Sequence, residues 1–300
     1  MIVLTSDHPI VVRALHKHYG ATPALDDLDL TVGAGEVHGF LGPNGAGKST
    51  TIRILLGLIR ATSGSVQVLG RDPWPDPVVT NRDIAYVPGD VSLWPNLTGG
   101  EIIDLLLSLR GGGGPGERAR LIDAFELDPR RKARTYSKGN RQKVALVAAL
   151  ARPAPLYILD EPTSGLDPVM ESVFRAEVRR IRNTGATVLL SSHMLSEVEQ
   201  LCDRVTVIRA GRVVETGRLD DLLRNAPTVF RVIGVPAEAV IRVPGVTGVH
   251  SSGDGIEFAA DSSAIPAVLH ALHSFNPSSL TATPPALETL FLRHYETARS

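Results

Sequence analysis

Short apolar runs alternate with longer amphipathic ones from residue 10 to about residue 225. Val37–Leu41, Leu156–Asp160, Thr187–Ser191 and Val205–Arg209 have the length and continuity of strands. Helical patterns begin at Lys48, Asp167 and Leu195. This alternation predicts an α/β fold. Val11–Leu15 and Leu28–Val32 predict antiparallel strands at one edge of it.

A helical segment interrupts the alternation between about Asp90 and Lys132. Thr98 and Glu101 stand three apart before Ile102–Leu109, the spacing of a capping box. Gly111–Gly116 (GGGGPG) then predicts a break and a loop. From about Ala226 the pattern changes. Thr228–Val235, Ile256–Ala260 and Leu280–Thr283 read as strands, and Ser262–Phe275 as a helix. A last helix is expected from Pro285, with Leu287, Leu290, Phe291 and Tyr295 on one face. That order predicts a small C-terminal α+β domain.

Composition narrows the function classes. Of the 300 residues, 43% are hydrophobic and 21% charged, enough for a sizeable core and against wholesale disorder. The net charge of -1 argues against a general polyanion binder, so no nucleic-acid partner is expected. The one cysteine, Cys202, permits neither an internal disulfide nor a Cys-based metal site. No signal-peptide pattern opens the chain. Its longest apolar run, Val144–Ala151, falls far short of the about 20 residues a membrane-spanning helix needs.

Gly42-Pro43-Asn44-Gly45-Ala46-Gly47-Lys48-Ser49 fits the phosphate-loop pattern, between a predicted strand and a helical run beginning with Thr50. Glycines let such a backbone turn its N–H groups onto phosphate, and the helix N-terminus favours negative charge. Lys48 is then placed for the β and γ phosphates, and Ser49 for Mg²⁺. Leu156–Asp160 ends in the acid pair Asp160-Glu161. At a strand's C-terminal end, Asp160 suits a magnesium ion and Glu161 suits a general base for attacking water. Read alone, the pair is equally a strand running into a polar turn. Thr187–Ser191 leads into His193, which can donate to a γ phosphate or simply lie at the surface.

Taken in order, these elements resemble the nucleotide-binding subunit of ABC transporters. Tyr136-Ser137-Lys138-Gly139-Asn140 stands where that family carries its signature, and Pro162–Pro168 where it carries the D-loop. The resemblance covers residues 10 to about 225 and, in the wording of its motifs, looks like the drug and antibiotic exporter branch. It implies a P-loop core of RecA-like type, an antiparallel β edge and an inserted helical subdomain at about 90–145. Residues 1–225 would form the ATPase domain and 226–300 an accessory domain. The resemblance implies ATP on Tyr19, Gly42, Pro43, Asn44, Gly45, Ala46, Gly47, Lys48, Ser49 and Thr50, with Tyr19 stacked on adenine. It implies Mg²⁺ on Ser49 and Asp160, and catalysis by Lys48, Glu161 and His193. Ser137 and Gly139 would contact ATP held by the opposite subunit, and Asp167 would bridge the two. The implied partners are a second copy of the chain and separate polytopic membrane subunits. The implied location is cytoplasmic and peripheral, on the inner face of the membrane.

Two departures stand out. Lys138 and Asn140 replace the usual glycine and glutamine of the signature. Gly89, after Tyr86-Val87-Pro88, stands where the family carries the Q-loop glutamine, so a contact to magnesium, water and membrane partner is missing there. Two alternatives remain at this stage. One is an ABC-type ATPase acting on ribosomes or DNA, which the absence of a second unit and of sustained heptads disfavours. The other is an ATP-binding regulatory subunit, supported by Gly89 alone.

Overall fold

The computed structural model describes residues 7–224 and 227–283. The chain divides into two compact units between Thr216 and Gly217. The first opens with β1 (Ile10–Tyr19) and β2 (Thr22–Val32), paired antiparallel from Ile10↔Val32. β3 (Val37–Leu41) runs into α1 (Lys48–Leu55), and β4 (Ser63–Val68) follows. β4 joins the first pair in a three-stranded sheet of order β2-β1-β4. Its sequence, SGSVQV, is polar and mostly exposed, so no apolar run announced it.

Then come α2 (Pro77–Asn81) and β5 (Ile84–Val87). Three helices follow: α3 (Gly99–Leu109), α4 (Pro115–Ala124) and α5 (Lys138–Leu150). The expected capping box is formed on α3. Thr98 Oγ1 accepts from the Glu101 N–H at 3.2 Å, and Glu101 Oε2 accepts from the Thr98 N–H at 2.7 Å. The glycine-rich break is shorter than the sequence suggests, because Pro115 already begins α4. A proline at the first helical position forfeits an N–H that has no partner there anyway. Arg120 on α4 pairs with Glu177 at 2.6 Å and so ties the helical stretch to the following helix.

β6 (Leu156–Asp160), α6 (Pro168–Asn183), β7 (Thr187–Ser192), α7 (Leu195–Leu201), β8 (Arg204–Arg209) and β9 (Arg212–Arg218) complete the order. The main sheet has the order β5-β6-β7-β3-β8-β9, and its first five strands run parallel. Every residue of β3, β6 and β7 is buried, the reason these strands read as unbroken apolar runs. Ile52, Ile54 and Leu55 of α1 share one core with Phe40, Ile158 and Leu189 and with Leu15, Leu25 and Leu28 of the first hairpin. The phosphate-loop helix is therefore anchored on its apolar side. All the loops leaving the C-terminal ends of β3, β5, β6 and β7 open on one edge, the usual ligand edge of such sheets.

The second unit holds α8 (Leu219–Arg224), β10 (Thr228–Ile233), β11 (Val246–Ser252), β12 (Gly255–Ala260), α9 (Ile265–His273) and β13 (Ser279–Thr283). Its strands form one antiparallel sheet, β11-β12-β10-β13. Phe230 and Phe258 stack across it at 5.3 Å, and Val268 and Leu272 of α9 are buried in the same core. β11 is a half-exposed edge strand without an alternating apolar pattern, and the sequence did not announce it. The helix expected from Pro285 lies outside the described residues.

Candidate functional site

Lys48 is the first residue of α1, and only 5% of its surface is exposed. Gly47 caps that helix at φ +112°, where a Cβ would stand 2.7 Å from Leu25 and 2.9 Å from the Ala24 carbonyl. Only glycine fits both the space and the dihedral. The Lys48 ammonium donates to the Gly42 carbonyl at 2.6 Å and to the Pro43 carbonyl at 3.2 Å. Its third donor faces Glu161 Oε1 at 3.5 Å. The loop therefore holds the ammonium by its own carbonyls, with the third donor on the side of Glu161. A pocket of about 160 Å³ opens there, walled by Asn44, Gly45, Lys48, Ser49, Thr50 and Glu161. Pro43 and Gly47 also line it, while Gly42 and Ala46 are buried behind it.

β6 supplies the carboxylates. Asp160 is 4% exposed and accepts from the Ser191 hydroxyl at the end of β7. Glu161 leaves the sheet in a left-handed conformation, φ +45°. For a residue with a side chain this costs about 1–2 kcal/mol. Its N–H bonds both the carbonyl and the hydroxyl oxygen of Ser191, each at 3.1 Å. The strained turn swings the side chain to the pocket, where Glu161 Oε2 lies 3.2 Å from His193 Nδ1. His193, just past β7, is about half exposed on its side chain, 52%. Gly89 follows β5, and a Cβ there would lie 3.5 Å from the Asp160 carboxyl. Tyr86 on β5 has its hydroxyl pushed up to about 12 by burial and by Asp160, so it stays neutral.

Lys48, Ser49, Thr50, Asp160, Glu161 and His193 are thus gathered at one edge from three strand ends. The other predicted residues have different surroundings. Tyr19 ends β1, half exposed, with the Lys17 ammonium 5.0 Å over its ring. Ser137 caps α5, accepting from the Asn140 N–H at 3.3 Å. Gly139 packs so closely that a Cβ would stand 2.4 Å from the Gly165 carbonyl. Asp167 caps α6 through the Met170 and Val169 N–H groups, each 3.0 Å away, and these bonds hold its carboxyl below the usual range.

Three polar residues at this edge had no role in the sequence reading. Ser191 links Asp160 to the Glu161 backbone, and its signal was a hydroxyl closing an apolar strand. Gln142 is 1% exposed and donates to the Pro162 carbonyl at 2.9 Å. Glu197 is 4% exposed, accepts from Ser192 at 2.7 Å and bonds Thr163; burial raises its carboxyl. Gln142 and Glu197 lie on helices where nothing local distinguishes them from surface polar residues.

The donors expected for a cation are oxygens, the Ser49 hydroxyl and the Asp160 carboxylate, and such a set would suit a hard ion such as Mg²⁺. Among the described residues no group of three or more His, Cys, Asp or Glu gathers to hold a metal by itself. His16 lies 3.4 Å from Asp26.

A family model described as ABC transporter matches residues 25–164. The chain is 37% identical over 254 residues to the daunorubicin resistance ATP-binding protein DrrA3 of Streptomyces coeruleorubidus, across 81% of this chain and 80% of that protein. It is 32% identical over 223 residues to the bacitracin transport ATP-binding protein BcrA of Enterococcus faecalis, across 73% and 72%. Among solved structures, an ATP-binding subunit of an ABC transporter superposes with a TM-score of 0.66 at 34% identity, covering 72% of this chain and 92% of that one. A dimeric ATP-binding cassette in a post-hydrolysis state, bound to ADP and Pi, superposes with a TM-score of 0.64 at 26% identity, over 70% and 98%.

Proposed function

Since the chain belongs to the ABC transporter family of ATP-binding proteins, we propose that it binds and hydrolyses ATP to energise a separate membrane-embedded exporter. The observation that carries this is the convergence of Lys48, Asp160, Glu161 and His193 on one pocket beside the phosphate loop. The names of the relatives support a drug or antibiotic as the exported compound. No helix among the described residues is long and apolar enough to cross a membrane. A peripheral position on the cytoplasmic face, with polytopic subunits supplying the path, follows from this reading.

In the proposed reaction the backbone of Gly42–Thr50 and the N-terminus of α1 bind the phosphates. Lys48 turns the N–H that faces Glu161 to the β and γ oxygens. Ser49 and Asp160 hold Mg²⁺, which offsets charge on the phosphates. Glu161 takes a proton from the attacking water, and His193 donates to the γ phosphate and steadies the Glu161 carboxylate. Tyr19 stacks on the adenine. A second copy of the chain supplies Ser137 and Gly139 across the γ phosphate, and Asp167 bridges the two chains. The dimeric cassette among the solved relatives supports this assembly. Residues 226–300 are an accessory domain in this reading.

Glu161→Gln should keep ATP affinity, lower turnover by at least about 100-fold and leave an ATP-bound dimer that light scattering detects. Hydrolysis at the parent rate would remove Glu161 from the role of base.

A further inference from the structure

Glu161 sits in backbone that an L-residue leaves unless its surroundings hold it. The holding is visible in the four residues that follow. Glu161 O accepts from the Ser164 N–H at 3.1 Å, closing a turn. That turn lies against the start of α5. Gln142 Nε2–H donates to the Pro162 carbonyl at 2.9 Å. Lys138 Nζ–H donates to Ser164 Oγ at 2.6 Å. Gly139 admits no side chain against the Gly165 carbonyl.

Among these contacts the Gln142 bond is the one next to Glu161 and the one sealed from water. Pro162 has no N–H, so its carbonyl is its only hydrogen-bonding group. Gln142 is 1% exposed, and a buried amide and a buried carbonyl each lose heavily if left unpaired. The pair therefore pins the peptide plane one residue beyond Glu161. On the opposite side Ser191 pins the Glu161 N–H. With the backbone fixed at both ends, the left-handed turn and the direction of its side chain are fixed as well.

We propose that Gln142 is a positioning residue for Glu161: by holding the Pro162 carbonyl it aims the Glu161 carboxylate at the attacking water. The proposal rests on Glu161 being the base, as read above. Gln142 lies outside the pocket walls, so the amide acts on turnover and not on nucleotide affinity.

The test uses the full chain with Gln142→Met and Gln142→Glu, following phosphate release and Mg·ATP affinity from pH 6 to 8.5. Gln142→Met keeps the volume and loses the donor. Its kcat should fall about tenfold while ATP affinity stays within about twofold. In Gln142→Glu, the ionised carboxylate faces the Pro162 carbonyl and repels it, whereas the protonated carboxyl donates as the amide does. Its rate relative to the parent should therefore climb as pH falls, while the Gln142→Met ratio stays flat. Taking the ratio at each pH cancels titrations common to both proteins. Should Gln142→Met fail to fold, the reversible pH dependence of Gln142→Glu carries the test alone. A Gln142→Met protein with parent kcat overturns the proposal. So does equal loss of affinity and kcat, or a Gln142→Glu ratio flat with pH. Glu161→Gln run alongside separates the two levels. Parent-like turnover in Glu161→Gln removes the base. An inactive Glu161→Gln beside a fully active Gln142→Met removes only the role of Gln142.

Discussion

At Lys48 one side chain meets two demands. Its ammonium is almost buried, and it is held by the Gly42 and Pro43 carbonyls and by the Glu161 carboxylate. A buried cation is retained where neighbouring oxygens satisfy it. Lys48→Ala removes the ammonium that lines the pocket. A fluorescent ATP analogue should bind at least about tenfold more weakly, and unchanged affinity would contradict the role of Lys48. Glu161 shows what a motif leaves out. The acid pair was legible as residue types at a strand end, but φ +45° was not, and that dihedral turns the side chain from the sheet toward Lys48 and His193. Gly89 was legible as a departure, and the structure adds that it abuts Asp160.

At the scale of elements, what was legible followed burial. β3, β6 and β7 are buried throughout and read as apolar runs with nearly correct ends. β4 and β11 are polar or half-exposed edge strands, held by backbone pairing that leaves no mark on residue type. β5, four residues long, is too short for a pattern to show. Two helix starts were legible from a capping side chain: Asp167 caps α6, and Thr98 caps α3. Asp76 caps the short α2 and Ser137 caps α5 without having announced them. Thr98→Ala leaves the α3 N-terminus without its acceptor. It should destabilise the chain by about 1 kcal/mol, measured by urea unfolding, with ATP affinity unaltered. A loss near zero would mean that packing alone holds α3.

For the molecule as a whole, the transport reading requires a membrane partner. A tagged chain drawn from native membranes in mild detergent should bring a polytopic protein with it in stoichiometric amount. Recovery only with ribosomes or DNA would keep the ATPase reading and overturn the transport reading. The sequence by itself determined the α/β class, the phosphate loop, the acid pair and the family resemblance. The class rests on the alternation of apolar and amphipathic runs. The loop and acid pair rest on glycines, a lysine at a helix start and carboxylates at a strand end, and the resemblance on the order of these motifs. Only the tertiary structure decided which of these residues meet. The order β5-β6-β7-β3-β8-β9 sets the strands that end in the phosphate loop, Glu161 and His193 side by side, though Lys48 and His193 are far apart in the chain. It also decided that Gln142 lies beneath the Pro162 carbonyl and Ser191 beside Asp160. A buried hydrogen bond between distant residues depends on how helices and strands stack, and neither residue's neighbours in sequence encode its partner.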